Sequence, residues 1–137
     1  MTRSSEIRPD LDEGIDRKVL AQLRSRFLAL SQGRLLRANE GLSTRQQSVL
    51  ALLPLFFHVN HPLLPGYVSG STPAGVSHYE PDGQALAEAQ RLTRSFSYKP
   101  RRGNAPQPIH GIFLMGSLGT LAQTDQSDMD VWICHDP

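Results

Sequence analysis

Apolar residues recur every three or four positions between Gly14 and about Asn39, at Ile15, Val19, Leu23, Phe27 and Leu30, with arginines and other polar residues between them. That period predicts an amphipathic helix. Its stripe reads as packed in the chain's own core; a partner-binding helix is the alternative. Residues 1–13 are polar, with Pro9 and dispersed charge, and read as a flexible tail. Gly41 ends the run, and Ser43-Thr44-Arg45-Gln46 has capping-box spacing for a second helix. Its apolar positions are Val49, Leu50, Leu53, Phe56 and Phe57. Pro54 lies inside it and lacks a backbone donor, which predicts a kink or an early end. The two helices are expected to close as an antiparallel hairpin over their Leu/Phe stripes.

Pro and Gly then crowd residues 62–83, which read as a long ordered loop or a set of turns anchored by Tyr67 and Tyr79. A short third helix is predicted from Gln84 to about Ser95, with Ala85, Leu86, Ala89 and Leu92 on one side. Residues 96–107 hold Lys99, Arg101 and Arg102 among prolines and a glycine and read as a basic, solvated linker. The last stretch changes period. An apolar run ends at Gly116-Ser117, a polar segment of small residues follows, and Asp128-Met129-Asp130-Val131-Trp132-Ile133 alternates strictly. Alternation is the strand signal, so Asp128, Asp130 and Trp132 share one face while Met129, Val131 and Ile133 share the other. The aliphatic face suits a core; the acidic face must meet water, a cation or a cleft.

Two carboxylates on one strand face stand about 6.5 Å apart at their Cα atoms. They repel unless a cation lies between them, and hard oxygen donors suit Mg²⁺, which also takes substrate phosphates. Glycine at a strand exit lets backbone N–H groups approach a phosphate, and a serine hydroxyl adds a donor. Asp128 and Asp130 are therefore the candidate metal ligands and catalytic residues, with Gly116 and Ser117 the candidate phosphate holders. Gly119 makes Gly-Ser-Leu-Gly, but the run lacks the Lys-Ser/Thr of a P-loop and the third glycine of a dinucleotide fingerprint; Gly119 is read as permitting a tight helix start.

The order apolar-Gly-Ser, about ten residues, then Asp-apolar-Asp-apolar resembles the nucleotidyltransferase fold of the DNA polymerase beta group. Met115-Gly-Ser followed by Ser127-Asp-Met-Asp-Val-Trp-Ile-Cys-His135 is similar to the signature of class I adenylate cyclases, the large bacterial enzymes. A second block agrees: Leu52-Leu-Pro-Leu-Phe-Phe-His-Val-Asn-His-Pro-Leu-Leu-Pro-Gly-Tyr67, then Tyr79-Glu-Pro-Asp82. The resemblance covers roughly residues 45–136. It implies conversion of ATP into 3′,5′-cyclic AMP and pyrophosphate, with two Mg²⁺ ions on Asp128 and Asp130 and the triphosphate on Gly116 and Ser117. It adds Ser127, as a phosphate donor or an orienter of Asp128, and Trp132, as a wall of the nucleotide pocket. Trp132 reads equally as a cap on the core edge, and Cys134 and His135 as strand packing and strand end. A basic residue from 96–107 swinging over the triphosphate is the alternative to the solvated linker.

The implied fold is α+β: a helical hairpin region over residues 14–107, then the first strands of a nucleotidyltransferase-like sheet over 108–137. A third carboxylate is expected from a later strand, so the chain reads as an N-terminal fragment, inactive or very weak alone. Any regulatory partner is expected to act through a C-terminal region. Other readings are a nucleotidyltransferase serving an acceptor hydroxyl, or a non-catalytic helical regulatory module.

Composition narrows the partners. With 137 residues and a formal net charge of +1, well mixed, no nucleic-acid or membrane partner is implied. One cysteine, Cys134, forms no internal disulfide and suits a cytoplasmic location. No apolar run suits a signal peptide or a membrane span. His58 and His61, three apart, have a metal-holding spacing, but His61 precedes Pro62 and no cysteine is near. They are read as satisfied, partly buried histidines beside a turn.

Overall fold

The structure, a computed structural model, describes Gly14 and residues 16–137. Three helices precede a two-stranded antiparallel sheet: α1 (Arg17–Glu40), α2 (Thr44–Val59), α3 (Gly83–Leu92), β1 (Ile109–Met115) and β2 (Asp130–His135). The α+β class stands. Each helix starts on a side-chain cap. Asp16 accepts from Lys18 N and Val19 N, and Asp82 accepts from Ala85 N. Ser43 and Gln46 form the reciprocal capping box that their spacing predicts. α2 runs through Pro54 and stops at Asn60, which takes the left-handed conformation with φ 44°.

The helical hairpin does not form as expected. α2 packs against α3, and α1 lies instead against the sheet and the turn that follows β1. Of α1's stripe, Ile15 lies outside the described residues, Phe27 is 52% exposed and Leu30 is 74% exposed. Only Ala38 of this helix is fully buried. The described hydrogen bonds that tie the helix to the turn after β1 and to α2 come from Arg34, Arg37, Ala38 and Asn39, all in its C-terminal half.

The core gathers Leu52 and Leu55 of α2, Leu64, Ala89 of α3 and Phe96, flanked by Phe56, Val59, Tyr79 and Tyr98. Leu52 and Leu55 were not on the predicted stripe. From Val49 to Val59 the sequence is apolar nearly throughout, so period alone cannot say which side faces inward. Here α3 covers Leu52 and Leu55, while the 62–73 turns border Val49, Leu53, Phe56 and Phe57. Phe96 is buried while Lys99 and Arg102 are exposed, so the 96–107 linker is solvated in part. Arg101 is held, donating to the carbonyls of His58 and Pro106, so it is not free to swing. Tyr67 is exposed and anchors little, whereas Tyr79 packs edge-on to His58 with ring centroids 5.2 Å apart.

His58 is completely buried rather than partly so. Its Nδ1 accepts from Val76 N at 3.0 Å and its Nε2 has no partner among the described residues. His61 Nδ1 accepts from Leu63 N, and its ring packs edge-on to Phe96. The loop then joins the sheet: Ser77 N donates to Ile109 O and Ile109 N donates to Gly75 O, a short parallel bridge beside β1.

Candidate active site

β1 and β2 pair from Met115 opposite Asp130, through Phe113 opposite Trp132, to Gly111 opposite Cys134, with a bulge at His110. In an antiparallel pair opposite residues share a face, so Met115, Phe113, Asp130, Trp132 and Cys134 lie together. Ile112, Leu114, Val131 and Ile133 form the other, half-buried face. The strand begins at Asp130, two residues later than alternation predicts. The exposure pattern nevertheless alternates back to Ser127, with Asp128, Asp130 and Trp132 exposed and Met129, Val131 and Ile133 half-buried.

The turn after β1 meets this segment at two points. Gly116 has φ +72°, and a Cβ built there would lie 2.4 Å from Asp130 Oδ2. Glycine is needed twice: for a backbone that side chains disfavour, and for the approach of the carboxylate. One residue on, Ser117 Oγ donates to Ser127 Oγ at 2.8 Å, and Thr124 N donates to the same oxygen at 2.8 Å. Ser127 thus ties the Gly-Ser bend to the chain entering β2, immediately before Asp128. The Asp128 and Asp130 carboxylates make no hydrogen bond or ion pair among the described residues, so their side-chain oxygens are uncommitted.

Gly119 is not a helix start. It has φ +75° in a run of turns, and its Cα backs onto the Arg34 carbonyl, 2.4 Å from where a Cβ would sit. α1 grips this turn. Arg34 Nε donates to Leu118 O at 2.9 Å and its Nη2 to Gly116 O, while Arg37 Nε donates to Gly119 O at 3.0 Å. Gln123 accepts from Gly119 N at 2.7 Å and donates to Ala38 O at 3.2 Å, linking the turn to a carbonyl at the helix end. Sequence reasoning missed these three residues. The signal was there: Arg34 stands four residues beyond Leu30 and seven beyond Phe27, on the apolar stripe, where a charge needs a partner.

Between α1 and the sheet runs a cleft of about 500 Å³, lined by Phe27, Ser31, Arg34, Leu35, Ile112, Phe113, Leu114, Met115, Trp132 and Cys134; neither Asp128 nor Asp130 lines it. Phe27 meets Phe113 edge-on with centroids 5.6 Å apart, and Trp132 remains 64% exposed. Its indole therefore borders a cleft and does not cap a closed core. Among the described residues no three His, Cys, Asp or Glu side chains gather as a metal cluster.

Residues 19–137 match the family model described as "Adenylate cyclase NT domain". The chain belongs to the adenylate cyclase N-terminal domain family. An adenylate cyclase of Proteus mirabilis is 37% identical over 115 residues, that of Escherichia coli K12 is 38% identical over 121, and that of Yersinia intermedia is 33% identical over 114. Each alignment covers 82% of this chain and 13% of the relative. No solved structure matches it. The matched region holds both the Gly116-Ser117 bend and the Asp128–Asp130 segment, and no described helix of this family member is long and apolar enough to cross a membrane.

Proposed function

We propose that this stretch supplies the first part of a class I adenylate cyclase active site, which turns ATP into 3′,5′-cyclic AMP and pyrophosphate. The observation that carries this reading is the contact between Gly116 and the Asp130 carboxylate, in a chain of this family. On this reading residues 14–107 are a helical support, and 108–137 open a nucleotidyltransferase-like sheet. The protein would work in the cytoplasm, with regulation through other parts of the longer polypeptide.

The residues fit magnesium. Asp128 and Asp130 offer exposed, uncommitted oxygens of the hard type that Mg²⁺ prefers, and the two would hold the pair of ions. When bound, Mg²⁺ neutralises triphosphate charge and lowers the pKa of the attacking 3′-hydroxyl. The chain's own groups do the positioning. Ser117 and the bend's backbone N–H groups hold the β- and γ-phosphates. Ser127 keeps the bend and the acidic segment in register. Trp132, on the cleft wall, shapes the space beside the nucleotide. Holding the hydroxyl and the α-phosphorus in line is most of what such a reaction asks of a protein.

Two measurements test this. Calorimetry on the 137-residue chain should detect Mg²⁺-dependent ATP binding that Asp130→Asn weakens. In the full-length polypeptide, labelled ATP should yield cyclic AMP, and Asp128→Asn or Asp130→Asn should abolish it. Full activity in either variant, or an adenylylated acceptor as the product, overturns the assignment.

A further inference from the structure

The described hydrogen bonds at the start of the turn, residues 116–119, are unevenly distributed. The carbonyls of residues 116–119 are taken: Gly116 O and Leu118 O by Arg34, Gly119 O by Arg37, and Ser117 O by Thr120 N and Thr120 Oγ1. The N–H groups of Ser117 and Leu118 take part in no hydrogen bond among the described residues. These facts are linked through peptide geometry. In a trans peptide the C=O of one residue and the N–H of the next point in opposite directions. The bond between Gly116 and Ser117 is trans. Drawing the Gly116 carbonyl onto the Arg34 guanidinium therefore turns the Ser117 N–H away from α1.

We propose that Arg34, seconded by Arg37, is the positioning residue of the phosphate-holding bend, setting the Ser117 N–H toward the anion by holding the Gly116 and Leu118 carbonyls from behind. The inference rests on the phosphate-holding role given to Gly116 and Ser117 above, and it assigns to α1 a task in the site itself. Three observations fix the grip. One guanidinium spans two carbonyls two residues apart, which a planar fork of donors does and a single ammonium does not. Gly119 seats the turn directly on the Arg34 backbone, so helix and bend cannot slide. Gln123 bonds to both partners and sets their register. The two guanidinium charges also raise the positive potential behind the bend, which favours an anion in front of it.

The test uses the whole ¹⁵N-labelled 137-residue chain, with inorganic triphosphate and Mg²⁺ as the probe and the Ser117 amide resonance as the readout. In the native chain that resonance should move and saturate. Arg34→Met should weaken the binding about tenfold, the worth of a lost charge-assisted hydrogen bond. Arg34→Lys, which keeps the charge and loses the fork, should also bind more weakly than the native chain. Arg24→Met removes a cation from the same helix and should bind as the native chain does. Unchanged α2 and α3 amides show in each case that the fold is intact, and if Arg34→Met does not fold, Arg34→Lys carries the comparison. Native-like binding by Arg34→Lys overturns the positioning role and leaves the phosphate reading standing. Equal weakening by Arg24→Met also overturns it, in favour of general charge. A native Ser117 amide that never moves overturns the phosphate reading, and this inference with it.

Discussion

Gly116→Ala is the sharpest probe of the bend, because the structure charges it twice. At φ +72° a Cβ-bearing residue pays about 1–2 kcal/mol for the left-handed backbone. Its Cβ would also sit 2.4 Å from Asp130 Oδ2, closer than any real contact. That atom is the end of a short side chain, so the carboxylate rotates off its preferred position at about 0.5–1.5 kcal/mol. The expected loss is about 2–3 kcal/mol, read from urea unfolding. A double-mutant cycle separates the two parts. With Asp130→Ala in place, Gly116→Ala should cost only the backbone share, a coupling of about 1 kcal/mol. Gly116→Asn, which tolerates the left-handed conformation better, should recover part of the backbone cost and keep the clash. Magnesium affinity should fall in Gly116→Ala because the carboxylate has been pushed aside. An equal cost in both Asp130 backgrounds would refute the contact, and with it the physical basis for joining bend and acid in one site.

Gly119→Ala should be worse than Gly116→Ala, by about 1 kcal/mol or more, since its Cβ meets the Arg34 backbone carbonyl as well as the Arg34 Cγ, whereas at Gly116 it meets only the Asp130 side chain; thermal unfolding of the two variants side by side checks the order. Leu55→Ala should cost about 2–5 kcal/mol, whereas Leu30→Ala, at a 74% exposed position, should change the urea midpoint little. Burial, helped by the Arg101 guanidinium and opposed by Glu80, holds the His58 pKa below its usual 6.5. The unfolded chain therefore binds the proton more readily, so stability should be full above the unfolded value and fall as pH drops below it toward the lowered folded value. His58→Asn keeps an acceptor for the Val76 N–H and should flatten that acid-side decline in urea midpoints. A native chain with no such decline would refute the buried neutral imidazole.

Local chemistry was legible in the sequence wherever one short stretch decides the outcome. Ser43 and Gln46 cap α2 as their spacing says, and β1 spans Ile109–Met115, as its apolar run ending at glycine implies. The alternation from Asp128 to Ile133 marked the two faces of the acidic segment. The residues that carry the resemblance lie within the stretch that places the chain in its family. What failed were statements about which element covers which. An apolar face at helical spacing says only that something must cover it, and nothing in α1 reveals that its C-terminal half grips a turn 82 to 85 residues away. From Val49 on, α2 is apolar nearly throughout, so the choice of Leu52 and Leu55 as the inward pair belongs to α3 and Phe96. Period and capping are set by neighbours along the chain, a few bonds apart. The pairing of Arg34 with the Gly116 carbonyl, and of Gly116 with Asp130, is set by packing between distant segments, and only the folded chain brings those atoms within reach.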